Sequence, residues 1–295
     1  MALMPFDDRD GSIWINGEMI PWREATSHTL SHGLHYASTV FEGERVYSGV
    51  IFKGREHTER LRRSCEMLDF ELPLSDDEVD VAKMAVVEAN GIVDGYVRAF
   101  AWRGSEMMAI SAQHTTTHVA IAAWEWPSYF DPETKMKGIT LDIADWKRPS
   151  PESAPVHAKA AGLYMICTLS KHAAEKKGFQ DALMLDYRGY LAEATGANVF
   201  FVDKEGTIHT PIADCFLDGI TRRTVIALAE SLQMKVVQRH LTLDDLSEMT
   251  ECFLTGTAAE VTPVSQIGDA SFTPGDISRQ LVNGYENLVR GRIAL

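Results

Sequence analysis

The sequence predicts an α+β protein of two domains, and three observations carry that prediction. At 295 residues the chain is long for a single domain. Strand-like and helix-like periodicities occur in both halves. The regular strand–helix alternation of a doubly wound parallel sheet is missing. Composition shifts place a small N-terminal domain over 1–127, a connection over 128–138 and a larger C-terminal domain over 139–295.

The elements follow in order. Residues 12–20 alternate around Asn16-Gly17, the strongest short hairpin signal. Ser75-Asp-Asp-Glu78 matches a capping box, and Val79, Ala82 and Val86 follow at helical spacing. Residues 96–102 and 118–126 are rich in aromatic and β-branched residues and read as strands. Pro127, Pro132, Pro149 and Pro151 then punctuate a polar stretch, and residues 139–146 open the second domain. A helix over 163–177 is stopped by Gly178, a residue suited to a helix C-terminus. Residues 181–186 and 198–202 read as strands, and 222–234 and 277–289 as amphipathic helices.

Charge and cysteine usage exclude several classes. With 28 basic against 42 acidic residues the formal net charge is -14, the wrong sign for nonspecific attraction to nucleic acid or an anionic membrane. No apolar run approaches the ~20 residues that span a bilayer. The start, MALMPFDDRDGS, lacks the basic and apolar regions of a signal peptide. Cys65, Cys167, Cys215 and Cys252 are widely spaced and form no CxxC pair, which suits free thiols. A cytoplasmic protein is expected.

Familiar catalytic signatures are missing: no GxxxxGK[ST], no GxGxxG after a strand, no GxSxG elbow. His32 and His35 lack a carboxylate at a matching offset, so hydrogen-bonding histidines in a loop are expected there, and no metal site. Lys159 lies among small residues in Pro155-Val-His-Ala-Lys-Ala-Ala-Gly162. A solvated surface lysine fits that local text; so does an amine among apolar groups, whose neutral form is available for a Schiff base. Glu193 lies after a strand, at a turn containing glycine. It reads either as a loop carboxylate or as the partner of a protonated pyridine nitrogen. Gly219-Ile-Thr221 precedes an amphipathic helix, where one geometry serves both an N-cap and a phosphate site. The turn-like run Thr255-Gly-Thr-Ala-Ala-Glu260 could present successive N–H groups to an anion.

Taken in order, KAAGLY (159–164), GYLAEATGANVFF (189–201), LDGITRRT (217–224) and FLTGTAAEVTPV (253–264) resemble the fold-type-IV pyridoxal 5′-phosphate (PLP) enzymes. The resemblance is greatest to the branched-chain amino acid aminotransferases. HGLHYASTVFEGERVY (32–47), FKGREHTERLRRS (52–64) and YVRAF (96–100) extend the similarity, which runs from about residue 13 to residue 267. It implies the two-domain fold of D-amino acid aminotransferase-like enzymes, PLP as cofactor, and ping-pong transfer from Leu, Ile or Val to 2-oxoglutarate. Lys159 is then the Schiff-base lysine and proton shuttle. Glu193 holds the pyridine nitrogen, Tyr164 touches the phenolic oxygen, and Leu217 packs on the ring. Arg60, Ile220, Thr221 and Thr257 take the phosphate, with Asn198 and Gly219 beside them. Tyr96 and the Thr257-Ala258 turn receive the α-carboxylate. Tyr36 and Arg98 receive glutamate's distal carboxylate, and Phe41 holds an aliphatic chain. Period-two alternation places Tyr96, Arg98 and Phe100 on one strand face.

The pattern departs from that family at Glu44 (usually apolar), Ala99 (usually proline), Ala197 (often glutamate) and Asp218 (usually proline). Residues 102–110 differ as well. Ala99 and Glu44 are expected nearer the substrate than the cofactor. A D-amino acid or (R)-amine transaminase and 4-amino-4-deoxychorismate lyase are the alternatives within the fold. The family also implies at least a homodimer, with small-molecule amino acids and 2-oxo acids as its other partners.

Overall fold

A computed structural model describes residues 5–126 and 135–295. The described chain divides into two compact units: an N-terminal one that also contains residues 158–162, and a C-terminal one containing 135–157 and everything from Leu163. The segment carrying Lys159 therefore packs with the N-terminal unit, although it lies well inside the C-terminal half of the sequence. Of the expected connection 128–138, residues 128–134 lie outside the described residues, as do Pro127 and Met1 to Met4.

The N-terminal unit is built on a seven-stranded sheet. Its strands are β1 (Ser12–Ile15), β2 (Glu18–Pro21), β3 (Thr39–Phe41), β4 (Glu44–Tyr47), β5 (Val50–Ile51), β6 (Gly95–Arg103) and β7 (Thr117–Glu125). They run in the order β2-β1-β7-β6-β4-β5, with β3 also paired to β6. The expected hairpin joins β1 to β2, and Asn16 and Gly17 both take the positive φ (51° and 103°) that a tight hairpin turn needs. Three helices accompany the sheet: α1 (His32–Tyr36), α2 (Gly54–Met67) and α3 (Asp76–Ala89). The capping box forms as expected, Ser75 accepting from Glu78 N while the Glu78 side chain accepts from Ser75 N. Val79, Ala82 and Val86 form the buried stripe of α3, which packs on β1, β6 and β7.

The C-terminal unit holds nine strands: β8 (Ile139–Ile143), β9 (Asp181–Leu185), β10 (Leu191–Ala194), β11 (Asn198–Asp203), β12 (Ile208–Thr210), β13 (Val236–Gln238), β14 (Met249–Gly256), β15 (Glu260–Ile267) and β16 (Ala270–Ser271). Because β10 pairs with both β9 and β11, the ring β10-β9-β8-β15-β14-β11 closes on itself as a barrel. Alternating residues of these strands, among them Leu141, Leu183, Val199, Phe201, Cys252, Leu254 and Val264, make one buried cluster. Helices α4 (Met165–Lys176), α5 (Ile220–Ser231) and α6 (Asp276–Val289) complete the unit. Helix α5 packs on α6 and β14, and α6 on β14 and β15.

Three differences from the sequence expectation have physical causes. Strand β10 is only 4 residues long and carries alanines and a glutamate, so nothing in its text marks it as β; its two neighbours impose the conformation. The short β3, β4 and β5 are rich in strand-favouring residues but are only 3, 4 and 2 residues long, too brief to show a period of two. His32 and His35 sit on the one-and-a-half-turn α1 and not in a loop, yet both make hydrogen bonds: His32 with Ser38 Oγ (2.7 Å) and Ala109 O (2.9 Å), His35 with Thr29 O (2.9 Å). All four cysteines are free and buried. Among the described residues no helix is long and apolar enough to cross a membrane.

Candidate active site

Lys159 lies in an extended segment held at both backbone polar groups. Phe41 N donates to Lys159 O at 3.1 Å, and Lys159 N donates to Ser64 Oγ on α2 at 3.0 Å. Ala160 bridges Val40 of β3. Alternation buries Ala158 and Ala160 and leaves the lysine between them half-buried, pointing the other way. Its Nζ lies 5.1 Å from the centroid of the Phe41 ring. The Arg98 guanidinium lies 4.6 Å from that same centroid and 5.5 Å from the Tyr96 ring. The structure thus gathers Phe41, Tyr96, Arg98 and Lys159 from three separate stretches of sequence. Both distances to the Phe41 ring lie within the reach of a cation–π contact. Tyr96 is backed by Trp124 and Trp126, ring centroids 5.2 and 5.5 Å away. Tyr36 is exposed on α1, its ring stacked on His32 at 4.5 Å.

Arg60 belongs to a buried ionic group that sequence reasoning missed. Its Nε donates to Glu42 Oε1 at 2.6 Å and its Nη2 to Glu42 Oε2 at 2.7 Å, a bidentate fork. His57 Nδ1, one turn earlier on α2, meets Glu42 Oε2 at 2.6 Å. Burial opposes ionisation of Glu42, but Arg60 and then His57 outweigh it and hold the carboxyl well below the usual carboxylate range. A signal was available: Glu42 and Glu44 interrupt an apolar run, and buried carboxylates require partners.

Glu44 and Ala99, two of the departures from the family pattern, are both buried inside the N-terminal unit. The Glu44 carboxylate is fully buried against Lys83 of α3, with Oε2 2.9 Å from Nζ. Ala99 is buried on the face of β6 opposite Arg98, and its carbonyl accepts from Glu42 N at 2.7 Å. Ala99 thereby holds the backbone of Glu42, the residue that pairs with Arg60.

In the C-terminal unit Glu193 lies on β10, buried and not in a loop. Asn198 Nδ2 donates to its Oε2 at 3.3 Å and to Leu217 O at 3.0 Å. Arg148, also buried, brings its Nε within 3.3 Å of Glu193 Oε1. That approach is an ion pair whose angle fails as a hydrogen bond, since Arg148 Nε has no such partner. The sequence offered no cue to Arg148, because the pairing spans the fold.

Gly219 is the N-cap of α5, with Ile220 and Thr221 forming the buried first turn. No side chain caps this end. A Cβ on Gly219 would sit 2.2 Å from Asn198 Oδ1, so close approach dictates glycine there. Asp218 is turned to Arg222 Nη1 at 2.8 Å. Leu217, Thr257 and Tyr164 are half-buried and Ala258 is exposed. Tyr164 ends a 3-10 turn (Ala161–Tyr164) that leads into α4. Thr257 and Ala258 occupy the turn between β14 and β15, and the chain enters β15 at Glu260 with φ 55°.

The model of the class IV amino-transferases matches residues 39–267, most of the chain. The chain belongs to that family. As a class IV aminotransferase it is 43% identical to a probable branched-chain-amino-acid aminotransferase of Rickettsia felis, over 98% of this chain and 100% of that protein. It is 38% identical to the branched-chain-amino-acid aminotransferase of Pseudomonas aeruginosa, over 98% of this chain and 96% of that one. Among solved structures, the T.th. branched-chain amino acid aminotransferase with pyridoxamine 5′-phosphate superposes with a TM-score of 0.93 at 38% identity, covering 97% of this chain and 96% of that one. The same enzyme complexed with N-(5′-phosphopyridoxyl)-L-glutamate gives 0.92 at 37% identity, with the same coverage. The class IV fold expected from the motifs is the fold found.

Proposed function

We propose that this aminotransferase moves the amino group of L-leucine, L-isoleucine and L-valine to 2-oxoglutarate, with pyridoxal 5′-phosphate held by Lys159. One observation carries the reading: a lysine amine and an arginine guanidinium lie against the same Phe41 ring, 5.1 and 4.6 Å from its centroid. An aliphatic side chain needs the aromatic wall, glutamate's distal carboxylate needs the cation, and a ping-pong exchange needs both beside one reactive amine.

The residues suit such a cofactor. Gly219 has no room for a side chain, and α5 begins there without a side-chain cap, which leaves its first N–H groups to an anion. When bound, the pyridine ring supplies an electron sink for the bond broken at the substrate's Cα. Glu193, braced by Asn198 and Arg148, holds a proton on the ring nitrogen. Lys159 carries the proton to and from Cα. Arg60, Ile220, Thr221 and Thr257 hold the phosphate, with Asn198 and Gly219 shaping the turn. Tyr164 orients the phenolic oxygen, and Leu217 packs against the ring. Tyr96 and the Thr257-Ala258 turn bind the α-carboxylate, while Tyr36 and Arg98 bind the distal one. The enzyme works as at least a homodimer in the cytoplasm.

Borohydride reduction of the holoenzyme followed by peptide mass mapping tests the base of this reading. A pyridoxyl adduct on Lys159 is expected, and an adduct elsewhere would refute it. A donor panel of L-, D- and amine substrates tests the specificity: fastest turnover with the L-branched-chain set is expected.

A further inference from the structure

We propose that the buried Glu44–Lys83 ion pair is a positioning device for Arg60, setting how firmly the protein grips the cofactor's phosphate. The inference rests on the phosphate role proposed above for Arg60. It begins with an oddity: two charges, each only 1% exposed, have been placed inside the N-terminal unit. An apolar pair of similar volume would be at least as stabilising, because desolvation offsets most of the attraction within a buried ion pair. What a charged pair adds is direction.

The Lys83 ammonium, carried on α3, spends its three N–H donors on two other elements, β4 and α2. It donates to Glu44 Oε2 on β4 (2.9 Å), to Gly54 O in the first turn of α2 (2.8 Å) and to Thr58 Oγ1 one turn further (2.7 Å). Asp80 Oδ1 lies 3.1 Å from the same nitrogen, and Thr58 donates to that carboxylate. One ammonium therefore fixes the axial position of α2 against β4 and α3, which packing of smooth apolar side chains would leave free to slide.

Helix α2 carries the working groups downstream of this clamp. His57, Arg60 and Ser64 lie at offsets of three and seven residues, on one helical face. Arg60 and His57 both reach Glu42, two residues before Glu44, and Ser64 receives the backbone N–H of Lys159. Movement of α2 along its axis would displace the guanidinium from Glu42 and the hydroxyl from Lys159 together. Glu44 Oε1 has no hydrogen-bond partner, and burial, only partly offset by Lys83, raises the Glu44 pKa. The charge is thus retained at a cost, in keeping with a positional role.

The test separates grip on the phosphate from general stability. Holoenzymes of wild type, Glu44→Gln, the double variant Glu44→Leu/Lys83→Leu, and Arg60→Gln are dialysed free of cofactor. Each is then titrated with PLP and, separately, with pyridoxal, which lacks the phosphate. The readout is the ratio of the two affinities. A merely structural role would weaken both ligands alike. We expect Glu44→Gln and the double variant to lower the ratio about tenfold, roughly 1.4 kcal/mol, and Arg60→Gln to lower it further. The phosphorus NMR resonance of the bound cofactor should shift in the same variants. A reduced ratio in Arg60→Gln with an unchanged ratio and resonance in both Glu44 variants would overturn the inference and leave the function standing. An unchanged ratio in Arg60→Gln would overturn the phosphate role of Arg60, and this proposal with it.

Discussion

Replacing Glu42 with glutamine tests the electrostatic centre of the N-terminal unit most sharply. The carboxylate is fully buried and meets Arg60 twice (2.6 and 2.7 Å) and His57 once (2.6 Å). Glutamine keeps the shape but offers one acceptor oxygen and turns an NH2 toward donors. Removing one partner of a buried ion pair typically costs about 3–5 kcal/mol, because the remaining charge is left uncompensated. The expected loss at pH 7 is therefore ~3–5 kcal/mol, read from urea unfolding of the full chain. The pH dependence gives a second handle with a definite sign. Glu42 has a depressed folded-state pKa, so its contribution is fully present above the ordinary glutamate value of about 4.3 and is lost as pH falls toward the folded value. The gap between wild type and Glu42→Gln should be constant from pH 7 to 5 and close progressively below that. Two stability curves that stay parallel from pH 7 to pH 3, or a variant within about 0.5 kcal/mol of wild type at pH 7, would refute the reasoning.

Other outcomes follow from the same geometry. Arg98→Met should lower kcat/KM for glutamate roughly a hundredfold, the scale of one lost charge-assisted contact, and for leucine only slightly; equal losses would remove its role at the distal carboxylate. Gly219→Ala would set a Cβ 2.2 Å from Asn198 Oδ1, so cofactor retention on gel filtration should fall, with an overpacking cost of ~1–3 kcal/mol. Phe253→Ala removes one ring of the buried Phe200–Phe253 stack (5.0 Å apart, 6° between planes) and should destabilise the protein by about 3–5 kcal/mol in chemical unfolding.

The chain's local chemistry was enough to mark the hairpin at Asn16-Gly17, the Ser75 capping box, the long strands β6 and β7 and the helices α4 to α6, because backbone preference and hydrophobic period act over a few residues. The ordered motifs around Lys159, Glu193, Gly219 and Thr257 likewise announced the class IV family before any coordinates. Strand β10 was illegible, since its β conformation comes from neighbours on both sides and not from its own alanine-rich text. Glu42, Arg148 and Lys83 were missed for a related reason. Their partners lie 18, 45 and 39 residues away, and a charge can be told from an ordinary surface charge only when the fold removes water from it. The inventory of reactive groups was written in the sequence. Which of them are buried, paired and aimed was decided by tertiary structure, because desolvation and ion-pair geometry are properties of contacts between distant segments.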